Sequence, residues 1–105
     1  MRFTTPTLLV LQAFLADPRE KRYGFELVQV AGLEAGTLYP ILMRLEEAGW
    51  LESSWEEVDP RAEGRPRRRY YRLTAVGEES ARVALAARAA RLRLGPLRQP
   101  APGAA

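Results

Sequence analysis

Breakers at Asp17-Pro18, Ala31-Gly32 and Ala48-Gly49 cut the first fifty residues into three short apolar-periodic stretches, and this punctuation decides what the chain can become. The first stretch opens at Thr5-Pro6, a hydroxyl cap before a proline at the first helical position, and carries Leu8, Leu9, Leu11, Gln12 and Leu15. The second follows Lys21-Arg22-Tyr23-Gly24 and holds Phe25, Leu27, Val28 and Val30. The third begins around Gly36-Thr37 and runs to Ala48-Gly49, where the glycine suits a left-handed cap. Three helices with a glycine-containing turn between the last two make a helix-turn-helix.

Two strands are predicted next, over 51–57 and 68–73, flanking a turn-rich loop over 58–67. Thr74 then caps a fourth helix from Ala75 to Leu94, and the Gly- and Pro-rich residues 95–105 are expected to be a disordered tail. The predicted fold is mostly α with a small β-hairpin. In outline it is a winged helix-turn-helix over 1–74, meant for DNA, followed by a C-terminal dimerisation helix over 75–94.

A chain of 105 residues, 47% of them hydrophobic, fits one small domain with one core, and at this size a second copy is a natural source of added stability. The absence of cysteine and histidine excludes disulfides, thiol nucleophiles, histidine acid–base chemistry and the usual zinc ligand sets. No cofactor is expected, and the sequence offers no catalytic constellation of an enzyme. The sequence shows neither a secretory leader nor an apolar run of about 18 residues, so the expectation is a cytoplasmic protein without a membrane partner. The net charge of +3 conceals a split: residues 1–60 carry 5 basic and 10 acidic side chains, residues 61–105 carry 11 basic and 3 acidic. That asymmetry points to a polyanion such as nucleic acid.

Winding the third helix at 100° per residue puts Leu38, Ile41, Leu42 and Leu45 on a core stripe and Gly36, Thr37, Pro40, Arg44 and Glu47 on the opposite face. In a helix-turn-helix that exposed face enters the major groove of double-stranded DNA, which makes Thr37 and Arg44 the candidate base readers. Tyr39, between the two faces, can offer its hydroxyl to a phosphate; the plainer alternatives are Tyr39 packed on the wing and Arg44 paired with Glu47. The stretch from Gly64 to Arg72 holds five arginines and two tyrosines. Cross-strand pairing with Glu52, Glu56 and Glu57 would neutralise part of it, chiefly Arg68, Arg69 and Arg72. Arg65 and Arg67 lie in the loop and are expected to meet the DNA backbone or minor groove, with Arg69 a weaker candidate. Tyr70 and Tyr71 point to opposite faces, so one should join the core.

The run from Tyr23 to Leu27, then GLEAGTLYPILMRLEEAGWLES at 32–53, then GRPRRRYYRLT at 64–74 followed by Gly77, resembles the PadR-like family of bacterial winged-helix transcription regulators. The resemblance covers about residues 5–80. It implies a homodimeric repressor on an inverted-repeat operator, with the third helix in the major groove and the wing alongside. On matching positions it assigns DNA contact to Gly36, Thr37, Tyr39, Pro40, Arg44 and the Gly64-Arg65 wing tip. One departure is Glu34-Ala35, where members often carry small hydroxyl residues.

The fourth helix has two opposed apolar stripes, one through Val76, Ser80, Val83, Ala87, Ala90 and Leu94, the other through Ala81, Leu85, Ala89 and Leu92. Two stripes need two partners, the helix's own domain and a second subunit, and the dimer contact is expected to involve Val83, Leu85, Ala89 and Leu92. Some relatives bind aromatic compounds near this helix, but here it contains no aromatic residue, so a small-molecule effector has little support in the sequence. Two other readings stay open: a protein-interaction module working through the acidic 46–63 stretch, and an RNA or single-strand binder stacking bases on Tyr70 and Tyr71.

Overall fold

The computed structural model describes residues 2–94, so the expected tail at 95–105 lies outside the described residues. The elements run α1 (Thr5–Leu15), β1 (Arg22–Tyr23), α2 (Gly24–Ala31), α3 (Ala35–Glu47), β2 (Leu51–Trp55), α4 (Pro60–Glu63), β3 (Arg69–Leu73) and α5 (Ala75–Leu94). Three helices, a hairpin wing and a long helix are the winged helix-turn-helix read from the sequence.

Each helix forms where local chemistry starts it. The cap of α1 is Thr4, one residue before the expected Thr5: its hydroxyl accepts the Thr7 N–H, and Pro6 sits in the first turn. The turn between α2 and α3 closes on Gly32 in the left-handed conformation. Pro40 lies inside α3 at its sixth residue. Leu38, Ile41, Leu42 and Leu45 are buried as the periodicity predicts, and they meet Val10, Leu11, Phe14 and Leu27 from α1 and α2 in one core. Each such side chain contributes about 1.5–3 kcal/mol of burial, which is why helices of 8 and 11 residues persist here although they would be marginal alone.

The sheet has three strands in the order β1-β3-β2, all antiparallel. β1 is only two residues long, pairing Arg22 with Tyr71 and Tyr23 with Tyr70, and its shortness hides it from any alternation pattern. Tyr71 enters the core and Tyr70 meets Tyr23 edge-on, so the two tyrosines divide as strand alternation requires. The strands end sooner than predicted because the loop makes structure of its own: Asp59 caps the one-turn helix α4, which ends on Gly64 in the left-handed conformation.

Thr74 starts α5, donating its hydroxyl to the Gly49 carbonyl and accepting the Gly77 N–H. α5 then packs on α1 and β3 through Ala81, Ala84 and Leu85. Gly77 is buried where a side chain would strike the Trp50 backbone, so glycine lets the helix meet the end of the helix-turn-helix unit.

Candidate nucleic-acid interface

The core stripe of α3 leaves its other face outside. Gly36, Thr37, Tyr39, Pro40, Met43, Arg44 and Glu47 are all exposed, Met43 at 61% and Tyr39 at 43%. Met43 is not among the candidates read from the sequence, although 100° winding places it squarely on this face. Arg44 forms no ion pair with Glu47; among the described residues no carboxylate lies within 4.0 Å of it, so its guanidinium remains available to an external anion. Glu34, at the departure from the family pattern, occupies the cap position of α3 without a side-chain capping bond and stays exposed.

Tyr39 takes a defined place rather than a free one. Its hydroxyl lies against Gly24 at the start of α2, where any Cβ would collide with it. The residue therefore ties the two helices of the turn together at the edge of the exposed face. Beside it is a cleft of about 580 Å³ lined by Tyr23, Gly24, Phe25 and Tyr39 on one wall and by Pro66 to Arg69 and Tyr71 on the other.

The arginines of the wing sort differently from the expected division between strand and loop. Arg72 pairs with Glu52 directly opposite it in the β2–β3 register, at 2.9 Å. Arg69 reaches across to Glu46 at the end of α3, at 3.4 Å, donates to the Ser53 hydroxyl at 2.9 Å and lies over the Trp55 ring. Arg65, expected to be free for DNA, forms a two-pronged pair with Glu56 at 2.7 and 3.0 Å. The physical reason is the α4 turn, which folds the loop back so that residue 65 returns to the end of β2. The same Glu56 carboxylate accepts the Arg68 N–H. These donors, the Arg65 guanidinium first, outweigh desolvation and lower the Glu56 pKa to about 2. Arg67 commits its Nε to the Val58 carbonyl at 2.9 Å, and Arg68 stacks its guanidinium over Tyr23 at 4.3 Å. Gly64, at the wing tip, is exposed.

α3, the cleft and the wing thus form one surface with spare cations and hydroxyl donors, the chemistry that backbone phosphates and base edges require. On α5, Val83, Ala89 and Leu92 are exposed, whereas Leu85, expected at a partner, is partly buried against the domain's own core. No helix among the described residues is long and apolar enough to cross a membrane.

Comparison with known proteins agrees with this geometry. A crystal structure of a PadR family transcriptional regulator from Eggerthella lenta DSM 2243 is 33% identical over 90% of this chain and 84% of its own, with a TM-score of 0.70. The protein smu.1704 from Streptococcus mutans UA159 is 31% identical over 90% of this chain and 88% of its own, with a TM-score of 0.64. The PcaV transcriptional regulator from Streptomyces coelicolor, in complex with its natural ligand, is similar at 26% identity over 90% of this chain and 62% of its own, with a TM-score of 0.65. A search of curated proteins gave no match. The model of the transcriptional regulator PadR-like family matches residues 14–83, a span that takes in the helix-turn-helix, the wing and the first half of α5, and the chain belongs to that family.

Proposed function

We propose that the chain acts as a homodimeric repressor that binds a palindromic operator in duplex DNA, with α3 in the major groove and the wing on the adjacent backbone. The observation that carries this reading is the exposed face of α3, where Thr37 and the unpaired Arg44 project beside an arginine-lined wing. Gly36 and Pro40 keep the start of that face low enough for close approach to bases, and Tyr39 stands at its edge. The second copy is supported by α5: Val76 and Val83, two turns apart on one face of the helix, are 62% and 63% exposed and have no partner among the described residues of their own domain. A two-fold pair of subunits is also what a palindromic site requires. Mobility-shift titration of the duplex upstream of the protein's own gene, with single-stranded and RNA controls, tests the reading, and a promoter–reporter fusion separates repression from activation.

One observation favours a small-molecule effector as a second function. A groove of about 640 Å³ beside α5 has an apolar wall of Phe3, Leu8, Trp50, Val83 and Ala87, with Arg88, Arg91 and one acid, Glu79, at its side. The aromatic surface that α5 lacks is supplied by Phe3 and Trp50, whose rings lie 5.6 Å apart. A change in Trp50 fluorescence on titration with aromatic carboxylates, accompanied by release of the duplex, is the expected result; no change in either removes this reading.

A further inference from the structure

The wing arginines fall into two groups by charge. Arg65, Arg69 and Arg72 each have a carboxylate at 3.4 Å or closer, so binding a phosphate would mean giving up an ion pair already made. Among the described residues, the guanidinium groups of Arg61, Arg67 and Arg68 have no carboxylate within 4.0 Å. Of these, Arg67 and Arg68 border the cleft that also holds Tyr39, and no acidic residue lines it. We propose that this cleft, between the start of α2, Tyr39 and the base of the wing, seats a phosphodiester of duplex DNA, with Arg68 its principal cation, Arg67 a second and the Tyr39 hydroxyl a neutral donor.

Arg68 is built for that task. Its backbone is fixed on both sides, the N–H on the Glu56 carboxylate at 3.2 Å and the carbonyl accepting the Glu56 N–H at 2.8 Å. Its guanidinium lies over the Tyr23 ring, and stacking occupies the flat face while leaving the in-plane N–H groups for an anion. Arg67 uses only its Nε internally, so its terminal nitrogens are spare. The Tyr39 hydroxyl has no hydrogen-bond partner among the described residues and is held at the cleft by the bare backbone of Gly24. Glu56, which holds the Arg68 N–H, is paired with Arg65, and Glu46 with Arg69, which makes Arg65 and Arg69 positioning residues that offset repulsive charges at the edge of the seat.

The proposal rests on the duplex-binding reading, and the test keeps the two apart. Fluorescence anisotropy with an upstream duplex and a random-sequence duplex, over a salt series, compares wild type with Arg68→Gln, Arg67→Gln and Tyr39→Phe. Arg68→Gln is expected to weaken both duplexes roughly tenfold and to flatten the log–log salt slope by about 0.9 for each phosphate no longer neutralised, with thermal stability retained. Tyr39→Phe should weaken both several-fold at unchanged slope, because the missing donor carries no charge. Arg67, exposed and outside the core, supplies a second charge variant with the same expected direction. Wild-type slope in both arginine variants overturns the seat, and so does Arg68→Gln binding that weakens without any change of slope. Failure of wild type to bind any duplex would instead overturn the parent reading.

Discussion

Thr37 and Arg44 stand two turns apart on the same exposed face of α3, and neither touches the core. Replacing either by alanine should cost about 1–3 kcal/mol at the operator while leaving random duplex nearly unaffected, measured by competition titration. Uniform weakening by Arg44→Ala would mark it as a phosphate clamp. Glu56 gives a pH prediction with a definite sign. Its folded pKa of about 2 lies below the ordinary 4.5, so its contribution is fully present above about pH 4.5 and disappears as pH falls towards 2. Wild type should therefore lose thermal stability relative to Glu56→Gln across that acid window, and parallel melting curves would mean the brace contributes nothing. The pairing of Glu52 with Arg72 was legible once the hairpin was drawn, because it follows strand register. The pairing of Arg65 was not, since it depends on how a loop of about ten residues folds back, and sequence spacing carries no such information.

Among the elements, the long helix and the three short ones were readable because caps and 3.6-residue periodicity mark them independently. β1 and α4 were not: two and four residues are too few to show a period. In α5 both stripes were legible, but which one faces the domain was not, and the structure gives that role to Ala81, Ala84 and Leu85. Substituting Leu85 would thus confuse folding with association. Val76→Glu with Val83→Glu changes only exposed positions and should yield a folded monomer by sedimentation; an unchanged dimer mass would place the partner contact elsewhere. Gly77→Ala is expected to destabilise the domain by about 1–3 kcal/mol, since the added methyl meets the Trp50 backbone and not a flexible side chain. A wild-type melting temperature would show that α5 can shift away at no cost.

At the scale of the molecule, the basic second half of the sequence folds partly back onto the acidic first half. Glu46, Glu52 and Glu56 take up Arg69, Arg72 and Arg65, and part of the charge left over, Arg67 and Arg68, borders the cleft beside Tyr39 of α3. The bulk charge split therefore pointed to the right class of partner, while folding decides which arginines remain for it. Two such surfaces related by a two-fold axis would meet half-sites about 34–36 Å apart, one turn of duplex. The most direct test is the ratio of affinities for the upstream duplex and for random duplex at physiological salt. A ratio of about a thousand or more, with protection of two symmetric half-sites, is the expected result. Equal affinity for the two, or preference for single strands, would contradict base reading by α3.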